Sequence, residues 1–295
     1  MIVLLLLAHD EADLIRRNIE HHLDWGVDHI AVGDHASRDD TQDVLHSFGD
    51  QVSTVVFRDF MDRQKVRIQM LTDLRAHHTV DWAGVSDSDE FFWKDGVGPR
   101  ELLAAVPSDR VAVSYAQKLF LPTARDYADG PVECRRVYRT TGPQSPLHTS
   151  YRMGKSFYRG DWLQTLTHEH WCPEVPHDKG TEEPVLHHFM IQSEDQFVDK
   201  VKRLRSWQSI RRQRLEDVKN VFRRVAHRPI PSPVGRDFKA RWWDVYQAGG
   251  ESGLREYYRS VYTLDAHAID DAIAAGDLAH DPSFAQHLRS RAEPG

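Results

Sequence analysis

Acidic residues recur wherever a strand-like run in the first half of this 295-residue chain ends. Asp10-Glu11 follows the run 2–7, Asp34 follows 29–33, Asp59 follows 52–57, and Asp87-Ser88-Asp89-Glu90 follows 82–86. In an open parallel sheet the carboxyl ends of the strands share one edge, and ligands bind there. Carboxylates gathered at one edge repel one another unless they hold a cation or accept hydrogen bonds from a ligand. An Asp after a strand also caps the helix that follows. For Asp59 the two readings stand level, whereas ligand contact is the stronger one for Asp34 and for the Asp87/Asp89 pair.

The Asp-x-Asp triplet means little by itself, because 31 aspartates in 295 positions give about three such triplets by chance. Its context says more. It follows a buried-looking strand, Trp82-Ala-Gly-Val-Ser86, and precedes the apolar run Phe91-Phe92-Trp93. In an extended segment residues i and i+2 point the same way, so Asp87 and Asp89 are expected to share one hard divalent ion, Mg²⁺ or Mn²⁺. A metal bridging a diphosphate stabilises charge on a departing nucleoside diphosphate. Neither G-x-x-x-x-G-K-[ST] nor G-x-G-x-x-G occurs, so metal bridging is the more plausible way to hold phosphates.

Eighteen histidines are present. Most of them, His21, His22, His77, His78, His267 and His287 among them, read as surface or helix residues. His168-Glu169-His170-Trp171 and His187-His188 flank Pro-rich loops after the sheet. His168 and His170 at i, i+2 could share a metal on a strand, but a zinc site needs a third ligand at coherent spacing and none stands out.

The elements that must position these groups follow from apolar periodicity. Strands are predicted at 2–7, 29–33, 52–57, 82–86 and 111–116, and helices at 12–25, 41–48, 64–77 and 100–106. Ile15, Ile19 and Leu23 mark one helical face, and Val66, Met70, Leu71 and Leu74 another. Alternation of this kind predicts an α/β fold, a mainly parallel Rossmann-type sheet with helices on both faces. Residues 117–190, rich in Pro, read as short strands and loops laid against the sheet. Beyond Gln192 the pattern turns helical, so 1–190 is expected to be one domain, split into 1–116 and 117–190, and 191–295 a helical C-terminal region.

Composition narrows the class further. Hydrophobic residues make up 40 % and charged ones 28 %, with two cysteines and a formal net charge of −7. Disordered, collagen-like and disulfide-stapled chains are excluded. Residues 1–100 carry net −9 and residues 200–228 net +9. The apolar start lacks a basic leader and runs into His9-Asp10-Glu11. It is therefore expected to be a buried strand, and the protein cytoplasmic or at most membrane-peripheral.

The segment His9-Asp-Glu-Ala-Asp-Leu…His21-His22-Leu-Asp-Trp-Gly-Val-Asp-His29…Asp34-His-Ala-Ser37-Arg-Asp39-Asp-Thr41…Gln64…Asp87-Ser-Asp89-Glu90-Phe91 resembles the family 2-like and family 92-like glycosyltransferases of GT-A fold. The match covers roughly residues 3–93. Gly154-Lys155-Ser156 looks like that family's Lys-Ser step, and Leu186-His187-His188-Phe189…Ser193…Phe197…Lys200 like its His-Tyr…Ser-x-x-x-Phe…Lys stretch. Asp10 stands where the family has Asn, and His35 and Asp40 stand where its second motif has Asn and Gly. The resemblance implies a nucleotide-sugar donor, UDP-sugar first, and a carbohydrate, small-molecule or lipid-linked acceptor. It implies that Asp10, Glu11 and Asp34 line the nucleoside pocket, that Gln64 and Lys65 face the donor, and that Asp87 contacts ribose or metal. Asp89 would coordinate Mn²⁺ or Mg²⁺, with His188 the best match for a third ligand.

Inverting transfer needs a carboxylate to take the acceptor hydroxyl proton. Glu169, between two histidines and beside Trp171, is the first choice, and Asp161 beside Trp162 the second; a solvated loop acid is the plain alternative for both. The basic stretch 194–228 reads as a solvated helix face or as a surface contacting anionic lipid. Nucleic acid is disfavoured because the rest of the chain is acidic and carries no recognised binding motif. A sugar-phosphate nucleotidyltransferase would need a Gly-rich basic loop where His9-Asp-Glu-Ala-Asp13 stands, and a metal-dependent phosphohydrolase more clustered ligands in the first half.

Overall fold

The run of apolar residues at the start forms a strand buried on both faces. Ile2, Leu4, Leu6 and Ala8 pack into one core, whereas Val3 and Leu5 pack into another. The period-two alternation of a strand separates them. The first core also takes Ile15, Ile19, Val44, Leu45, Leu102 and Leu103, and the second takes Val66, Met70, Leu71 and Leu74. The helices carrying these residues thus cover opposite faces of one sheet. This computed structural model describes residues 1–58, 63–126, 130–141, 145, 155–160, 177–178, 185–202 and 237–292, with backbone only at 63–64, 177–178, 237–241, 261 and 292.

In chain order the first elements are β1 (Ile2–Ala8), α1 (Ala12–Trp25), β2 (His29–Asp34), α2 (Thr41–His46), β3 (Val52–Val56), α3 (Arg63–His77) and β4 (Trp82–Val85). Next come β5 (Glu90–Phe92), α4 (Pro99–Ala104), β6 (Ala112–Tyr115), β7 (Gln117–Leu119), α5 (Val132–Arg135), β8 (Tyr138–Thr140), β9 (Lys155–Arg159), β10 (His177–Asp178) and β11 (Leu186–His188). The described part of α6 is 194–202. The chain continues through α7 (Asp237–Tyr257), α8 (Ala266–Ala274), β12 (Leu278–His280) and α9 (Ser283–Ala292). Gly26, at φ 109°, adopts the left-handed conformation that ends α1, its N–H bonding back to the carbonyls of His22 and Leu23.

The central sheet has seven strands in the order β10-β6-β9-β4-β1-β2-β3. β1, β2, β3 and β4 are parallel, as are β10 and β6, and β9 runs antiparallel to both β4 and β6. This is the mainly parallel α/β sheet flanked by helices that the periodicity predicts. One expectation for the middle region is corrected, because Lys155–Arg159 is not laid against the sheet but is inserted within it. The apolar side chains at Phe157 and Tyr158 reach the two opposite cores, so the segment can sit between other strands. Gly84 makes room for it, since a Cβ there would meet the Phe157 ring at 2.4 Å. A second, three-stranded sheet has the order β5-β11-β7.

The chain packs as two units, Met1–Leu119 with Met153–Met190, and Phe120–Arg152 with Ile191–Gly295. Both sheets described so far belong to the first. In the second, β8 pairs antiparallel with β12, and Trp242 donates to the Tyr262 hydroxyl at 2.6 Å with Phe197 packed edge-on against it. Arg125 binds Asp270 through both terminal nitrogens, at 2.7 and 2.8 Å. Among the described residues no helix is long and apolar enough to cross a membrane.

Candidate active site

The Asp-x-Asp triplet is not extended. Glu90 N–H donates to the Asp87 carbonyl at 3.1 Å, closing a four-residue turn, and Asp87 N–H donates to Glu90 Oε2 at 2.9 Å. Expectation and structure differ for a local reason. The chain must leave β4 of the large sheet and enter β5 of the small one within four residues, Ser86 to Asp89, and a turn does this where a strand cannot. The two carboxylates consequently have different partners.

Asp87 meets Lys155 Nζ at 2.7 Å and Arg67 Nη2 at 3.5 Å. Its side chain is 42 % exposed, whereas those of Lys155 and Arg67 are 3 % and 1 % exposed. Two buried cations thus meet at one partly exposed carboxylate. Lys155 also lies 3.3 Å from Glu90 Oε2. Burial pushes the Glu90 carboxyl up to about 7, against the opposing pull of Lys155. Strand register explains how Lys155 arrives here. Gly84 pairs with Phe157 across antiparallel β4 and β9, and continuing that register sets Lys155 opposite Ser86.

Asp89 is buried, and its Oδ1 stands 3.5 Å from His188 Nε2. The other ring nitrogen, Nδ1, lies 3.0 Å from Gln117 Oε1. An acceptor there places the proton on Nδ1 and leaves Nε2 as a lone-pair donor in the neutral ring. A carboxylate oxygen and an imidazole lone pair that face each other suit a cation between them. Among the described residues, though, no three His, Cys, Asp or Glu side chains converge as a metal-holding group. The pair offers two donors, and any further ligands of Mn²⁺ or Mg²⁺ would come from phosphate or water.

The ends of β1, β2 and β3 form an open cleft of about 350 Å³ lined by His9, Asp10, His35, Ala36, Arg38 and Arg58. Two of these residues, Asp10 (φ 52°) and Ala36 (φ 50°), hold the left-handed conformation, which costs a residue with a Cβ and so marks loops fixed by their surroundings. Here Asp10 N–H donates to Ser37 Oγ at 2.9 Å, and Arg38 N–H donates to Asp10 Oδ1 at 2.7 Å. Asp34 is fully buried, its carboxylate taken up by Ser37 N–H at 3.1 Å and Gln42 Nε2 at 2.8 Å. It braces the cleft from behind. Glu11 accepts from Ser88 Oγ and so reaches the Asp87–Glu90 turn. Lys65 is exposed in the first turn of α3.

Of the two alternatives for His21 and His22, surface or helix, the helix holds: both lie in α1 and are buried, on its face turned to β5. His21 Nε2 meets the Phe92 carbonyl at 2.8 Å, and Phe92 N–H donates to His22 Nε2 at 3.0 Å. Burial, with His21 alongside, holds the His22 ring well below its ordinary value of 6.5. It is neutral and carries its proton on Nδ1, 2.9 Å from Asn18 Oδ1.

Asp87 and Asp89 thus share one turn but face different partners, Lys155 and Arg67 for Asp87 and His188 for Asp89; Glu11 touches the turn, and Asp10 lines the cleft. Asp59, Asp161, His168, Glu169 and His170 lie outside the described residues, as does the side chain of Gln64. Sequence reasoning left Arg67, Gln117, Asn18 and Lys155 out of the site. Arg67 carried a signal, a charged residue beside Val66 within the apolar stripe of α3.

No family model and no curated protein sequence matches the chain. Among solved structures it is similar to Staphylococcus aureus TarS 1–349 in complex with UDP-GlcNAc, at 9 % identity and a TM-score of 0.38, over 68 % of this chain and 64 % of that one. It is also similar to glucosyl-3-phosphoglycerate synthase from Mycobacterium tuberculosis in complex with Mn²⁺, UDP and glucosyl-3-phosphoglycerate. There the identity is 20 % and the TM-score 0.30, over 40 % of this chain and 44 % of that one. The chain thus spans less than two thirds of either structure.

Proposed function

We propose that this chain is a GT-A-type glycosyltransferase whose catalytic residues lie within 1–190, on the unit formed by 1–119 and 153–190. It would move a sugar from a nucleoside-diphosphate sugar, UDP-sugar first, to an acceptor hydroxyl with inversion. The observation that carries this reading is the meeting of Asp87, Asp89, His188, Lys155 and Arg67 at the carboxyl edge of the parallel strands. A cleft for a flat, polar ligand opens beside them at the ends of β1, β2 and β3. Asp89 and His188 would hold Mn²⁺ or Mg²⁺, which when bound neutralises charge on the leaving diphosphate.

Each group then has a task. Asp10 and Glu11, with Gln64 and Lys65, bind the nucleoside side of the donor, and Asp34 keeps the Ser37 loop in place beneath it. Asp87 accepts from ribose while it holds Lys155 and Arg67 in place. The acceptor oxygen forms its bond to the sugar carbon as the bond to the diphosphate breaks. Its proton passes to a carboxylate, Glu169 or, second, Asp161. The acceptor is a carbohydrate, small-molecule or lipid-linked hydroxyl, and the basic stretch 194–228 suits contact with an anionic membrane surface.

A thermal-shift panel of UDP, GDP, ADP, CDP and their sugars with Mn²⁺ tests the donor, since a ligand of the native state raises Tm by mass action. One nucleotide should shift Tm by several degrees with Mn²⁺ and far less with EDTA, and Asp89→Ala should abolish the metal-dependent part. Metal-independent binding unchanged in Asp89→Ala, measured by calorimetry, would sink the metal role. Release of inorganic phosphate or pyrophosphate without sugar transfer would favour the phosphohydrolase or nucleotidyltransferase alternatives.

A further inference from the structure

Asn18, in the second turn of α1, is fully buried and points at the turn that carries Asp89. Its side-chain amide donates to the Ser88 carbonyl at 3.0 Å and to the Glu90 carbonyl at 2.8 Å, so one NH₂ group grips the carbonyls of the residues before and after Asp89. The carbonyl between them, that of Asp89, accepts from Phe189 N–H at 2.9 Å, the residue after His188. Three consecutive carbonyls are therefore held from two directions.

An amide can flip, and in the flipped state Asn18 would aim an oxygen at two carbonyl oxygens. His22 prevents this. Phe92 N–H donates to its Nε2, which leaves only Nδ1 to carry the proton, and Nδ1–H lies 2.9 Å from both Asn18 Oδ1 and the Asn18 backbone carbonyl, its proton shared between two oxygens. The amide oxygen is thereby committed to the histidine and the NH₂ group to the turn. The arrangement forms a chain of orientation from the β5 backbone through an imidazole and an amide back to the residues that flank Asp89.

We propose that Asn18 and His22 are positioning residues that set Asp89 against His188 for metal-diphosphate binding. The proposal rests on the glycosyltransferase reading above. Groups that orient metal ligands without touching the ion typically govern affinity by 10- to 100-fold, and a carboxylate on a short turn needs such support more than one on a strand.

The test is calorimetry of Mn²⁺ with the nucleoside diphosphate that the thermal-shift panel selects, at a temperature where circular dichroism shows each variant fully folded. Asn18→Ala should weaken binding at least about tenfold. Ile19→Val, a core change in the same helix that removes no hydrogen bond to the turn or to His22, should leave it unchanged. His22→Gln keeps an acceptor for Phe92 N–H, but its NH₂ is bonded to the same carbon as that oxygen and does not stand where Nδ1 stood, so it should fall between; it serves as the main variant if Asn18→Ala does not fold. Wild-type affinity in a folded Asn18→Ala, or in His22→Gln where that variant replaces it, overturns this role and leaves the glycosyltransferase reading intact. Equal weakening in Ile19→Val overturns it too, because any loosening of α1 would then suffice. If wild-type protein takes up no nucleoside diphosphate with Mn²⁺, both the reading and this role fall.

Discussion

Lys155 sits between two carboxylates, 2.7 Å from Asp87 and 3.3 Å from Glu90, and is almost wholly buried. Removing one member of a buried charged set leaves the others uncompensated and costs about 3–5 kcal/mol. Lys155→Met should therefore lower the unfolding free energy by about 3 kcal/mol in a urea titration. The double variant Lys155→Met/Glu90→Gln should recover part of the loss, because the carboxylate that needed the cation is gone. Full additivity in that cycle would show that the two do not interact. The sequence made Asp87 and Asp89 legible because their types and neighbours were informative. It did not reveal that they would part company, since the turn at Asp87–Glu90 is imposed by two sheets that a linear reading does not place. Lys155 lies 68 positions from Asp87, and only antiparallel β9 brings it back.

At the scale of elements, α1 links the apolar core to the chemistry. Its core face carries Ile15 and Ile19, and the adjoining face carries Asn18, His21 and His22. Both faces follow from helical spacing, and 12–25 was readable from Ile15, Ile19 and Leu23. The burial of the two histidines was not legible because hydropathy counts them as polar. In the structure they serve as hydrogen-bonding core, which a periodicity argument does not register. Burial depresses the His22 pKa below 6.5, and the sign of the consequence is fixed. Its contribution to stability is complete above about pH 6.5. It falls away below that, as the unfolded chain takes up a proton that the native ring refuses, at a limiting slope of about 1.4 kcal/mol per pH unit. The stability difference between wild type and His22→Gln should thus shrink as pH drops from 7.5 to 5. A difference independent of pH would mean that His22 titrates normally in the native state.

For the molecule as a whole, residues 120–152 belong with the C-terminal unit, although they precede β9 in sequence. β8 has β12 as its partner, Arg125 binds Asp270, and Arg139 Nε meets Asp281 at 2.7 Å. A chain ended after residue 262 loses all three attachments. Limited proteolysis with mass spectrometry should then find new cuts within 120–141 that full-length protein resists. Equal resistance in the two chains would show that this stretch is held from elsewhere. The Pro-rich middle gave no periodic signal for this arrangement, because the strands involved are three residues long and pair across more than a hundred positions.

The placement of β9 between β4 and β6 also bears on synthesis. Among the described residues β6 pairs with β9 and β10, both later in sequence, so on a ribosome it emerges ahead of these neighbours in the sheet. About forty residues separate Tyr115 from Lys155, roughly 2–8 s of translation at ~5–20 residues per second. During that interval β1 to β4 can assemble while β6, with Val113 and Tyr115 on its apolar face, waits for its partners. A nascent chain of this kind presents a sticky edge at a defined point in its growth, and there a chaperone, or a slow codon, would have the most to change.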